Sequence, residues 1–250
     1  MKIINYSKNN NYPQVYNPYF AALKFKKFGT SRLFEDFSVK LNSGKNTQDC
    51  FVRAKVDDAW LLFNVQNKKG ISLGKCSSNT NWVDSVLYNS TIENLDSRHS
   101  LKGVGSVMHL GQIIVLLENP KFDSINLFSL GSSVFFHAKL KFKPDIAYYE
   151  ELVSNLKEIL RHSDDKRFSK NIQEAKKFLK YSTSEIKTNI NEGNAILDRY
   201  IQNVLANKLH KDENFSFNSG FEMMLTKKDV IENKDYYNSL FKKYGIDYQI

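Results

Sequence analysis

Lys102-Gly103-Val104-Gly105-Ser106 places two glycines between a strand-like run and a helix-like run. Glycine lets a backbone approach an anion closely, and the N–H groups of a first helical turn have no partner inside the helix. Such a turn can be a phosphate cradle. It can equally be a tight entry into a helix, which needs the same glycines. In the cradle reading the main chain of Leu101, Lys102, Gly103, Val104, Gly105 and Ser106 holds the diphosphate, with Arg98 and Lys102 adding positive charge. A second stretch, Ser133-Val134-Phe135-Phe136-His137-Ala138-Lys139-Leu140-Lys141-Phe142, follows the next strand-like run, Ser124–Ser129, and sets an imidazole on a short helix. Cradle and imidazole together imply acyl transfer from a cofactor that carries a pyrophosphate.

His137, with an ordinary pKa of about 6.5, could pass a proton to a departing thiolate or hold a thioester; it could also be a half-exposed helix residue. Acylation of an amine needs the free base, so a carboxylate or a water chain must remove a proton. Glu93, on the run that leads to the glycine turn, is the candidate base, with Asp84 and Asp96 nearby in sequence. Asn94 and Leu95 could offer main-chain contacts to an extended cofactor arm. Ser132 reads as a helix N-cap and not as a nucleophile, because no Gly-x-Ser-x-Gly elbow is present. Cys76 has only Lys75 beside it to lower its pKa. His99, His109, His162 and His210 show no metal-ligand spacing, so no metal site is expected.

The elements that must position these groups follow from periodicity. Residues 51–56 and 59–65 read as strands joined at Asp57-Asp58, 71–74 as an edge strand, 79–81 as loop and 83–95 as a strand ending just before the glycines. Residues 31–41 fit a helix or a strand, and 1–30 an irregular lead-in. Residues 104–117 are almost continuously apolar, so that helix should be buried on a sheet, and Asn119-Pro120 should end it. A strand should begin at 142–146. Helical spacing recurs over 145–160, 172–179 and 186–209; strand character returns over 215–226, and a helix over 229–244 stops at Gly245. The expected fold class is α/β (α+β): a mixed central sheet with flanking helices and an all-helical insertion.

Two stretches carry a resemblance. Ser100-Leu101-Lys102-Gly103-Val104-Gly105 is similar to the Gln/Arg-x-x-Gly-x-Gly/Ala turn of the GNAT family of N-acetyltransferases. The segment from Leu130 through Ser133 and Phe136-His137-Ala138-Lys139-Leu140-Lys141-Phe142 resembles that family's Asn-x-x-Ala…Phe-Tyr-x-Lys-Leu-Gly-Phe helix. Ser100, Leu130 and Lys141 depart from the pattern, and His137 stands where the family often has tyrosine. The resemblance covers mostly residues 83–146, with 221–226 similar to the family's last strand. It implies a single GNAT-like domain over 1–250, with 147–213 inserted between the last two strands. It also implies acetyl-CoA as cofactor, bound by Asn94, Leu95, Arg98, Ser133 and the 101–106 turn, an amine as acceptor, and His137 as a catalytic residue; Glu93, which the family pattern does not place, is the candidate catalytic base by its position before the glycine turn alone.

Bulk properties bound these expectations. The chain has 250 residues, 41% hydrophobic and 25% charged, an ordinary globular composition. Its best apolar run, 112–117, is far too short to span a bilayer. The polar, Asn-rich start lacks the apolar segment of a cleaved signal. Two cysteines, Cys50 and Cys76, exclude a disulfide scaffold. A cytoplasmic protein fits, as does a bacterial effector secreted into a host cell, whose helical insertion would bind a host protein. The formal charge of +9 is spread along the chain, and no recognised nucleic-acid motif occurs, so neither a membrane nor nucleic acid is an expected partner. Two other readings stay open: an interaction protein that kept the fold and lost turnover, and a basic nucleic-acid binder using its 13 tyrosines and 18 phenylalanines for stacking.

Overall fold

Alternation of apolar and polar residues over the first third of the chain produces a run of strands with one buried face. The computed structural model describes residues 32–43, 46–57, 60–81, 85–95 and 101–250. They form a mixed α/β protein with a large mixed sheet and helices, divided into two units, 1–125 with 226–250 and 126–225.

In the first unit β1 (Arg32–Ser43), β2 (Asn46–Asp57), β3 (Trp60–Asn67), β4 (Ser72–Asn81) and β5 (Val86–Asn94) form an antiparallel meander, and β6 (Leu101–Lys102) adds to the free side of β1. Strand order is therefore β6-β1-β2-β3-β4-β5. Phe37, Val39, Leu41, Val52, Leu61, Phe63, Val65 and Leu87 face inward and are buried. Helix α1 (Val104–Glu118) follows and lies against β3, β4 and β5, with eleven of its residues buried, as its apolar sequence required. Gly111 faces the Phe63 ring, where a Cβ would stand 2.8 Å from Cε1. Asn119 closes α1, its N–H donating to Val115 O.

Several sequence expectations are corrected here. Residues 71–74 are not an edge, because β4 runs on between β3 and β5. Residues 79–81 are strand and not loop: Asn79 is paired with Trp60 on one side and Tyr88 on the other, so ladder pairing overrides the turn-like composition. The element that enters α1 is β6 rather than β5. Residues 31–41 resolve as strand from Arg32, whereas 1–30 lie outside the described residues.

The second unit contains β7 (Ser124–Ser129), the short helix α2 (Val134–Lys139), β8 (Lys143–Pro144), α3 (Tyr149–Ile159), α4 (Ser169–Phe178), α5 (Thr183–Thr188), α6 (Ile190–Ala206) and β9 (Phe221–Thr226). Strand order is β7-β9-β8, with β8 antiparallel to β9. Residues 145–148 precede the helix expected from 145, and Asp145 N donates to Glu222 O at 2.8 Å. The helix expected over 186–209 is two helices, parted at Asn189 (φ −109°, ψ 27°). The 215–226 strand is shorter and starts at Phe221. Asn194 fixes α6 by donating to Ile146 O at 3.0 Å and accepting from Ile146 N at 3.2 Å. Phe168, Tyr200, Phe215, Phe217 and Phe221 form an aromatic core, with His162 stacked on Phe215 at 4.4 Å.

The chain then returns to the first unit. Thr226 caps α7 (Lys227–Glu232) in a reciprocal box with Asp229, and α8 (Lys234–Tyr244) follows after a break at Asn233. Gly245 (φ 66°) ends α8 in the left-handed conformation the sequence suggested. No described helix is long and apolar enough to cross a membrane.

Candidate functional site

The glycine turn lies at the N-terminus of a fifteen-residue helix. Gly103 caps α1 at φ 105°, ψ 0°, a left-handed region that favours glycine. It offers no side chain to the helix, so the first-turn amides of Val104, Gly105 and Ser106 have no side-chain cap; no acidic residue stands in that turn. The helix dipole adds partial positive charge there, and exposed Lys102 precedes it. Leu101 and Lys102 are less available than the sequence implied, since the register pairs them with Ser43 and Asn42. One side of Gly103 is filled: a Cβ there would stand 2.5 Å from Tyr244 Cε1 and 2.9 Å from its hydroxyl.

Gly74 joins this turn to the end of β5. A Cβ at Gly74 would lie 2.4 Å from Val104 Cγ1 and 3.0 Å from Glu93 O. Glu93 O is a ladder neighbour across the β4–β5 pair, and glycine at 74 is what leaves room for Val104 Cγ1 on β4. The start of α1 therefore packs on β4 at the end of the meander where β5 closes, but Glu93, in register with exposed Lys75, carries its side chain on the face of the sheet away from α1. Glu93, Asn94 and Leu95 are exposed; Glu93 is paired with Lys75 across the ladder, and Leu95 N donates to Leu73 O at 2.9 Å. Arg98, Ser100, Asp84, Asp96 and His99 lie outside the described residues.

Ser133 and His137 belong to the second unit. Ser133 is the N-cap of α2 without a side-chain cap bond, and its N–H donates to Leu130 O at 2.8 Å. Ser132 is exposed and caps nothing; the preceding 3₁₀ turn starts from Leu130. His137 is buried and not half-exposed, edge-on to Phe136 at 5.0 Å and Phe142 at 5.8 Å. Burial in these rings pushes its pKa down to about 4, so the imidazole is neutral at pH 7. In the same unit burial raises the Asp145 and Glu151 carboxyls above their ordinary values, Glu222 adding to the effect on Glu151.

One polar array escaped sequence reading. Under α1, Gln112 Nε2 donates to Ser78 Oγ at 2.6 Å and to Cys76 Sγ at 3.0 Å, while its Oε1 takes a 2.8 Å hydrogen bond from His109 Nδ1. Cys76 Sγ donates to Asn89 Oδ1 at 3.4 Å. His109, Gln112 and Ser78 are fully buried, and Thr80 Oγ1 is buried with no hydrogen-bond partner. Burial pushes the Cys76 thiol up to about 12, so the array holds a neutral thiol and no nucleophile at neutral pH. The i, i+3 spacing of His109 and Gln112 within an apolar helix was the available signal. Its partners, alternating along a polar strand, gave none. Among the described residues no cluster of three or more His, Cys, Asp or Glu could hold a metal ion. No protein-family model matches the chain, and no curated protein or solved structure matches it significantly.

Proposed function

We propose that the chain is an N-acetyltransferase that takes acetyl-CoA as cofactor and an amine as acceptor. The observation that carries this reading is the uncapped start of α1, where Gly103 turns left-handed and Gly74 leaves room on β4 for Val104. Three amides and a helix dipole at one spot, with no acid in the turn, suit a diphosphate. In the order β5, β6, α1, β7, α2 each of the two motifs still follows a strand and opens a helix, as the resemblance requires, although the strand that enters α1 is the two-residue β6.

In the reaction the amine nitrogen attacks the thioester carbonyl, the C–S bond breaks, and coenzyme A leaves as a thiol once a proton reaches its sulfur. The amine gives up one proton; exposed Glu93, whose side chain lies on the sheet face away from α1, would accept it through a chain of waters. Burial disfavours the imidazolium, and a neutral imidazole N–H is too weak an acid to protonate a thiolate, so His137 would hydrogen-bond the sulfur or the thioester while solvent supplies the proton. The helical stretch before β9 is the assigned surface for a protein acceptor or partner.

Calorimetric titration with acetyl-CoA, paired with release of free thiol in the presence of amines, tests the reading. Ser106→Asp puts a carboxylate in the first turn, which favours the helix and repels a diphosphate. It should keep the melting temperature and weaken acetyl-CoA binding at least tenfold. Absence of wild-type binding at millimolar cofactor would remove the enzyme and leave an interaction protein.

A further inference from the structure

Tyr244, the last residue of α8, reaches the place where α1 begins. The residue is only 5% exposed, and a Cβ on Gly103 would stand 2.9 Å from its hydroxyl oxygen. A buried phenol normally finds a hydrogen-bond partner. This hydroxyl makes no hydrogen bond among the described residues, and it is not sealed off from solvent. An unpaired side-chain donor beside the first turn of a fifteen-residue helix is an observation separate from the bare amides of that turn.

Positive charge gathers around the same hydroxyl. Lys243 Nζ stands over the Tyr244 ring, 5.1 Å from its centroid, and Lys102 immediately precedes Gly103. Lys40 lays its stem along Gly245, its Cγ 3.4 Å from the Cβ position there. These lysines are exposed and form no ion pair among the described residues. The acids nearby offset them only in part. Asp49, opposite Lys40 in the β1–β2 ladder, is held by Lys68 at 3.0 Å, and Glu93 is in register with Lys75 on the face away from α1. Asp247, two residues past Gly245, is exposed and has no ion partner among the described residues. We infer that Tyr244 reads the ligand of the α1 cradle: its hydroxyl donates to one phosphoryl group of a diphosphate whose other phosphoryl group takes the amides of Val104, Gly105 and Ser106. Two adjoining donor sets, one of main chain and one phenolic, suit two linked phosphoryl groups, where a lone phosphate would need only the amides. Lysines on Tyr244, beside Gly103 and along Gly245 supply the charge that a multiply charged anion calls for. The inference rests on the anion cradle of the proposed function, and not on acetyl transfer.

The test is calorimetric titration of the full chain with inorganic pyrophosphate, inorganic phosphate and acetyl-CoA. Wild type should bind pyrophosphate roughly tenfold more tightly than phosphate, the worth of one added hydrogen bond to a charged group. Tyr244→Phe keeps the ring beside Gly103 and removes a hydroxyl that bonds to nothing in the described protein, so the melting temperature should not move. The same change should weaken pyrophosphate roughly tenfold and leave phosphate as it was. A tyrosine that only packs would alter both anions or neither. Lys243→Gln should flatten the fall of pyrophosphate affinity with added salt. No binding of pyrophosphate at millimolar concentration, phosphate bound as tightly as pyrophosphate, undiminished pyrophosphate binding by Tyr244→Phe, or a loss that strikes both anions equally would each overturn the proposal. The two readings fail separately. Pyrophosphate binding that depends on Tyr244, without any binding of acetyl-CoA, keeps the role of Tyr244 and removes the acetyltransferase. Acetyl-CoA bound equally by wild type and Tyr244→Phe keeps the acetyltransferase and removes the role of Tyr244.

Discussion

Two turns in this protein pass from an extended segment to a helix through a buried or half-buried glycine, and they are built for opposite ends. At Gly103 the backbone is left-handed, and the helix beyond is long and uncapped. At Gly131, in the turn before α2, a Cβ would stand 2.0 Å from Phe217 O, and the amide of Ser133 is already spent on Leu130 O. Gly220 mirrors it, its Cβ position lying 2.3 Å from Ser129 O, so two main-chain segments cross there with no room for a methyl group. The first turn leaves donors open; the second consumes its space and its donors in packing. Of the two motifs that look chemical in sequence, the first keeps main-chain donors open to a ligand, and the second contributes only a buried, neutral imidazole.

Gly131→Ala should break this comparison most visibly. Its methyl group meets backbone, which cannot swing aside as a side chain can, so destabilisation on the order of 4 kcal/mol is expected from urea unfolding. A loss under about 1 kcal/mol would show that the crossing is looser than drawn. His137 comes next. Its pKa is about 4 in the folded protein and about 6.5 when unfolded, so between those values the unfolded chain binds more protons and stability rises with pH. The contribution is complete above pH 6.5 and disappears as pH falls through 4. Wild type should lose about 3 kcal/mol more than His137→Leu between pH 7 and pH 4. Parallel pH profiles of the two proteins would mean that the ring is solvated.

What could be read beforehand was whatever a short window determines. The apolar run of α1, the limits of β7 and the glycine after α8 were all legible, because local pattern and burial agree there. Residues 79–81 were not, because Asn79 and Thr80 are held in β4 by ladders on both sides, which no window of polar residues reveals. The breaks at Asn189 and Asn233 were hidden by apolar spacing that continues through both. At the candidate site the glycines were visible, but Gly74 and Tyr244, which decide how close the chain comes and which side is filled, are distant in sequence and contribute no motif. The array beneath α1 was missed for the same reason: Gln112 finds Cys76 and Ser78 across more than thirty residues.

The smallest effect sharpens the first turn. Gly103 is required for two separable reasons, its left-handed φ and the Tyr244 ring beside it. Gly103→Ala should cost about 2 kcal/mol, part strain and part collision. In a Tyr244→Ala background the collision is gone, so the same change should cost about 1 kcal/mol, a coupling of about 1 kcal/mol in a double-mutant cycle. If the glycine served only to seat Tyr244, removing the ring would make alanine at 103 harmless to every property. If it also shapes a cradle, acetyl-CoA affinity should still fall with Gly103→Ala when Tyr244 is absent, because the backbone turn that aims the amides of Val104, Gly105 and Ser106 is then the only thing that changes.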